Sequence, residues 1–186
     1  MSRHVGNLRQ VAFVVRDADA AMRHWAEVLG VGPFIVRREV AFDDFRYLGR
    51  PSPTPVLTIG MAHSGPLQVE VIQQHNDAPS AYLDYLAAAE PGMQHAGAWF
   101  ADRTSYQAAY DRLAGLGLEC AHEGRAKGLD IRFAYFRRAG DPAAPQIEIA
   151  EALAPPVGAR MAWMEALAAD WNGRDPIRDV GFAVTG

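Results

Sequence analysis

The chain has 186 residues, 49% hydrophobic and 22% charged, enough apolar mass to bury a core in one domain or in two small fused modules. Its net charge of −4 comes without the basic cluster that a phosphate backbone requires, which argues against nucleic acid as a partner. A single cysteine, Cys120, excludes an internal disulfide framework, suits a reducing cytoplasm and reads as a small buried hydrophobe.

From the N-terminus, "MSRHVGNLRQVAFVV" holds no apolar run long enough for a signal peptide. Nothing later approaches a membrane span, so a soluble cytoplasmic protein with no membrane partner is expected. The segment "QVAFVVRDADAAMRHWAEVLG", from Gln10, predicts a strand, an aspartate near a helix start, an amphipathic helix and a closing glycine. Strands follow at "GPFIVRREV", "PVLTIGMA" and "GPLQVEVIQ", separated by proline and glycine. A short helix is expected within "NDAPSAYLDYLAAAEPG".

The segment "HAGAWFADRTSYQAAYDRLAG", from His95, then repeats the opening without a gap: Asp17 meets Asp102, Trp25 meets Tyr110 and Gly30 meets Gly115. Three more strands follow at "LGLECAHEG", "LDIRFAYFRR" and "APQIEIAEA", with "GRAKG" as an exposed hairpin tip. The prediction is an α+β domain over residues 8–151 made of two βαβββ repeats, about 8–75 and 93–151. Residues 152–186 add one helix and an irregular end, whose methionines and aromatics should pack on the domain or on a partner subunit.

Side chains alternate faces along a strand, so parity sorts the polar residues. In "RQVAFVV" the large Val11, Phe13 and Val15 should meet the helices, leaving Gln10 on the inner face. By the same rule Glu70 faces inward between Val69 and Val71, and Glu148 between Ile147 and Ile149. His95 opens the second repeat where Gln10 opens the first. Alone, Gln10 reads as a hydrogen-bonded strand residue, Glu70 or Glu148 as part of a solvated face, and His95 as a packed histidine. Together they are two carboxylates on apolar strands, costly to bury without a compensating charge. One imidazole nitrogen and three side-chain oxygens suit Zn²⁺, Mn²⁺, Co²⁺ or Ni²⁺, with positions left for water or substrate.

The segments "QVAFVVRDADAAMRHWAEVLGVGPF", "GPLQVEVIQQ", "GMQHAGAWFAD" and "QIEIAE" make the chain resemble the vicinal oxygen chelate superfamily, over about residues 8–151. That superfamily includes glyoxalase I, methylmalonyl-CoA epimerase, bleomycin resistance proteins and extradiol dioxygenases. The resemblance implies paired βαβββ modules in an open barrel-like cup, with a metal held on the inner surface by Gln10, Glu70, His95 and Glu148. The set is similar to that of some glyoxalase I enzymes. "LGVGPF" and "SAYLDYL" followed by "GMQH" look more like the epimerase branch, whose usual histidine and glutamine at the first two ligand positions are not met here. Extradiol dioxygenases use two histidines and one carboxylate for iron, so oxygen chemistry is disfavoured.

The implied reaction, of lyase or isomerase type, removes a proton next to a carbonyl of a small substrate, a thioester or thiol conjugate, through an enolate. Glu148 is then the first base and Glu70 the second. The alternative is a non-catalytic small-molecule-binding protein of the resistance type, which generally lacks such a quartet. Related folds often pair, so a homodimer is expected. Phe34, Tyr47, Met61, His63 and Trp99 are candidates to line the cup; Arg46 and Arg50 are candidates for an anionic substrate group, although packing and solvation are the simpler roles. His75 reads as a turn residue.

Overall fold

The computed structural model describes residues 1–180. The first repeat contributes β1 (Leu8–Val14), α1 (Ala18–Val28), β2 (Phe34–Val40), β3 (Phe42–Tyr47), β4 (Arg50–Pro51), β5 (Leu57–Ser64) and β6 (Leu67–Gln74). After α2 (Ala81–Ala88), the second contributes β7 (Gly92–Trp99), α3 (Arg103–Gly115), β8 (Glu119–Ala126), β9 (Arg132–Arg137) and β10 (Gln146–Ala150). The chain then forms α4 (Val157–Ala169) and β11 (Ile177–Asp179). Residues 181–186 of the expected tail lie outside the described residues.

All strands join one curved, unclosed sheet in the order β11-β2-β5-β6-β1-β7-β10-β9-β8-β3-β4. Its middle is the duplication made visible: β1-β6-β5-β2 on one side and β7-β10-β9-β8 on the other, joined where β1 and β7 pair antiparallel. The expected α+β fold with paired βαβββ modules is therefore observed.

Parity works as anticipated on the helix-covered face. Val69 and Val71 are buried against Ala18 and Met22 of α1, with Val11, Phe13 and Trp25 at the margin. Ile149 is buried against Tyr106, Ala109 and Leu113 of α3, with Ile147 at the margin. Both helices start on their aspartates, Asp17 accepting from Ala20 N–H and Asp102 from Ser105 N–H. The closing glycines differ from expectation. Gly30 takes the left-handed conformation, but Gly115 is the last residue of α3 and Gly117 makes the left-handed turn.

Two features departed from the simple repeat, and both cover a sheet edge. The β3–β4 hairpin leaves its own repeat and pairs with β8 of the other. The C-terminal segment read as irregular supplies β11, parallel to β2. An open edge presents unpaired N–H and C=O groups, and these additions occupy the outer side of the edge strand of each repeat. On the inner face, α4 lies against β5, and its Met164 is buried with Ile35 and Met61. Among the described residues no helix is long and apolar enough to cross a membrane.

Candidate metal and acid–base site

The four central strands carry the four residues singled out above. Across them Glu70 on β6 pairs with Ala12 on β1, and Ala12 with His95 on β7. Two residues along, Gln10 pairs with Gly97, and Gly97 with Glu148 on β10. Each pair of polar residues thus straddles a small one, and Ala12 and Gly97 occupy equivalent places in the two repeats. A Cβ at Gly97 would lie 2.6 Å from Gln10 Oε1 and 3.3 Å from Glu148 Oε2. The missing side chain is the space into which both polar groups lean.

The convergence is close at His95, whose Nε2 stands 3.5 Å from Glu70 Oε2 and 3.8 Å from Glu148 Oε2. The ring is completely buried, and its Nδ1–H donates to Gln94 Oε1 at 2.7 Å. Nε2 therefore carries its lone pair toward two carboxylates. The donor that reaches it among the described residues is the Tyr135 hydroxyl, at a long 3.5 Å. Gln10 behaves alike: Nε2 donates to Gln68 Oε1 at 2.8 Å, leaving Oε1 buried without a hydrogen-bond partner among the described residues.

Burial disfavours charge on every ionisable member. It pushes Glu70 up to about 8 and Glu148 up to about 7, and drives the His95 ring down to about 4. Lone pairs and carboxyl groups that face one another in an apolar setting are stabilised by a positive centre between them.

A divalent cation suits that gap. Nitrogen and oxygen ligands bonded to zinc at their usual lengths stand roughly 3.4 Å apart in a tetrahedron, close to the 3.5 Å between His95 and Glu70. The orphaned Gln10 oxygen, the cradle at Gly97 and the Nδ1–H···O bond that steadies the ring all fit such an ion. Among the described residues, no group of three or more His, Cys, Asp and Glu side chains is disposed to hold a metal by itself. The wider 3.8 Å approach of Glu148 and the amide oxygen of Gln10 are what a full set needs to draw in.

Gln10, Glu70 and Glu148 line a cavity of about 130 Å³, with walls that include Met61, Tyr82, Trp99, Phe133, Tyr135 and Met161; His95, completely buried, meets the two glutamates without lining it. A larger hollow of about 550 Å³ lies beside α3, against the β3–β8 edge, and holds none of the four. Arg125 at that hollow is half-buried and already paired with Asp44 and Asp130.

Of the expected lining residues, Met61 and Trp99 face the cavity. Phe34 does not, because it packs under α1; Tyr47 turns away to Asp84, and His63 contacts Gln68 behind the site. Arg46 and Arg50 lie on the exposed β3–β4 hairpin, Arg46 donating to the Gly49 carbonyl, and His75 is bonded to Thr58. Cys120 sits among the partly buried residues around α3. Sequence reasoning missed Gln68, Gln94, Tyr82 and Tyr135. One signal was present: each glutamate strand carries the triplet Gln-x-Glu, Gln68-Val69-Glu70 and Gln146-Ile147-Glu148.

Comparison with known proteins agrees with this architecture. The chain is similar in fold to methylmalonyl-CoA epimerase from Mycobacterium tuberculosis, at 16% identity and a TM-score of 0.52, over 86% of this chain and 95% of that one. It is also similar to a variant Streptomyces coelicolor methylmalonyl-CoA epimerase in complex with 2-nitronate-propionyl-CoA, at 16% identity and a TM-score of 0.50, over 78% and 94% of the two chains. No curated protein sequence matches significantly. The model of one family matches residues 9–136, and on that match the chain belongs to the Glyoxalase/Bleomycin resistance protein/Dioxygenase superfamily.

Proposed function

We propose that this protein is a divalent-metal-dependent isomerase or lyase that removes a proton from the carbon next to a carbonyl of a small substrate. The observation that carries the reading is the convergence of Gln10, Glu70 and Glu148, from both repeats, on one apolar-walled cavity, with His95 Nε2 3.5 Å and 3.8 Å from the two glutamates. A cation held by these four groups would supply Lewis-acid stabilisation for the negative charge that develops on the substrate oxygen.

The protein's own groups supply the rest. Glu148 is the base that takes the proton; of the two glutamates it makes the wider approach to His95, 3.8 Å against 3.5 Å. Glu70, with β1 and β7 between it and Glu148, is the second acid–base group and returns a proton to the neighbouring position. Trp99, Phe133 and Met161 keep bulk water from the intermediate, and the Tyr82 hydroxyl donates to that of Tyr135 at 3.1 Å, holding it beside His95. About 130 Å³ is several times the roughly 30 Å³ share of one water, so the cavity suits the reactive head of a thioester or thiol conjugate rather than a whole cofactor-sized molecule.

The test is solvent-deuterium exchange into methylmalonyl-CoA and into a thiol adduct of a 2-oxoaldehyde, with added Co²⁺ or Zn²⁺. Exchange at the carbon beside the carbonyl, lowered about 10²- to 10⁴-fold in Glu148→Gln while the fold survives, is expected. Full activity in that variant would remove Glu148 from the chemistry. Tight binding of either compound without exchange, by a protein that takes up no metal, would point instead to sequestration.

A further inference from the structure

Gln68 and Gln94 are completely buried, and each commits both ends of its amide. Gln94 accepts from His95 Nδ1–H at 2.7 Å and donates to the Ala81 carbonyl at 3.3 Å. Gln68 accepts from Gln10 Nε2 at 2.8 Å and donates to His63 Nε2 at 3.0 Å and to Met161 Sδ at 3.3 Å. An imidazole and a primary amide each have a donor end and an acceptor end of nearly equal shape. Whichever partner holds the rear end decides what the front end offers.

At this site the local field favours the wrong choice. A proton on His95 Nε2 would be attracted to carboxylate oxygens 3.5 Å and 3.8 Å away. Turned around, the Gln10 amide would aim its NH₂ into the space beside Gly97 that Glu148 Oε2 also enters. Either change fills the site with hydrogen where an electron pair is needed. We infer that Gln68 and Gln94 are positioning residues that turn Gln10 Oε1 toward the cavity and the His95 Nε2 lone pair toward the two glutamates that line it, against the pull of their carboxylates. The consequence for cation uptake rests on the metal-dependent reading above.

Gln146 supplies the control. It pairs with His95 across the strands and is 2% exposed, yet among the described residues its Oε1 has no partner and its Nε2 reaches only the Pro142 carbonyl at 3.4 Å. It orients neither ligand.

The experiment compares Gln68→Met and Gln94→Met, which keep length and bulk, with Gln94→Glu, which keeps the acceptor, and with Gln146→Met. In metal-free protein, ¹⁵N imidazole spectra should show His95 protonated on Nδ1 in the wild type and in Gln94→Glu, and shifted toward Nε2 in Gln94→Met. Co²⁺ affinity should fall about ten- to hundredfold in Gln68→Met and Gln94→Met and stay unchanged in Gln146→Met. An unchanged tautomer in Gln94→Met, with unchanged Co²⁺ affinity in both methionine variants of Gln68 and Gln94, overturns the inference. The expected tautomer shift in a protein that binds no Co²⁺ at all supports the positioning role and overturns the metal reading instead.

Discussion

The two halves of the cup are built on equivalent strands and end in different chemistry. In the first, the residue paired with Glu70 is Met61, and the next strand adds Ile35. In the second, Glu148 pairs with Tyr135, and the next strand adds His122. The cover differs in step. Over the first half lies α4 with Met161 and Met164, whereas the second meets α2, whose Tyr82 donates to Tyr135 and whose Ala81 N–H donates to His122 Nδ1 at 3.1 Å. Duplication fixes where side chains point, and the covering helix then decides whether the wall is aliphatic or hydrogen-bonded. Buried polar groups collect where the cover satisfies them.

The same asymmetry runs through the four convergent residues, since the equivalent positions hold an amide in one repeat and an imidazole in the other. The largest expected effect separates them. His95→Ala should reduce bound metal to a small fraction of the wild-type content, because the nitrogen is the strongest neutral donor in the set. Gln10→Ala removes a neutral oxygen and should leave a measurable share of the metal. Elemental analysis after dialysis reads both. Equal losses would break the comparison, and undiminished metal in His95→Ala would end that residue's role as a ligand.

A second comparison concerns the small residues between the pairs. Gly97→Ala puts a methyl group 2.6 Å from Gln10 Oε1 in a packed interior, a clash expected to cost about 1–3 kcal/mol and to push the amide out of place. Ala12→Gly, at the equivalent position, adds no atom and should cost only about 0.5–1 kcal/mol through backbone entropy. Denaturant unfolding measures the two costs, and Co²⁺ titration shows whether only the first disturbs the site. Equal effects would mean that Gly97 is strand filling rather than a cradle.

These small residues also mark how far the sequence could be read. Parity and duplication were enough to put Gln10, Glu70, His95 and Glu148 on one face, because both follow from backbone periodicity. The partners of those residues were not readable that way. Gln94 faces His95 from the adjacent position on the same strand, and Gln68 lies two residues from Glu70, but their hydrogen bonds depend on rotamers and on which strand lies alongside. The exit of β3 to the far edge and the pairing of β11 with β2 are likewise choices among open edges that no local pattern encodes. Phe34 and Tyr47, candidates for the lining whose simpler role was packing, take that simpler role: an aromatic beside a cup has two faces to choose from, and α1 and Asp84 claimed them.

The smallest effect tests the second wall alone. His122 is completely buried, ringed by Phe45, Tyr82, Phe133 and Tyr135, and held neutral chiefly by burial, with His95 and Arg137 adding to the downward shift. Its folded value lies well below its ordinary 6.5, so between those limits the unfolded chain binds a proton that the folded protein refuses. Stability from this group is full above about pH 6.5 and is lost as the pH falls. His95 acts in the same direction, while the raised Glu70 and Glu148 act oppositely in the metal-free protein, losing stability as the pH rises toward about 8 and about 7 respectively. A single pH curve therefore mixes opposing slopes, and the informative quantity is the difference between wild type and His122→Gln. Glutamine keeps an acceptor for the Ala81 N–H and does not titrate. Below about pH 6 the wild type should lose stability relative to the variant by about 1.4 kcal/mol per pH unit, one proton's worth. Urea unfolding of the metal-free proteins at pH 5, 6 and 7.5 measures it. Parallel curves would mean that His122 takes up its proton in the folded state, and that the second wall is wetter than its aromatic enclosure implies.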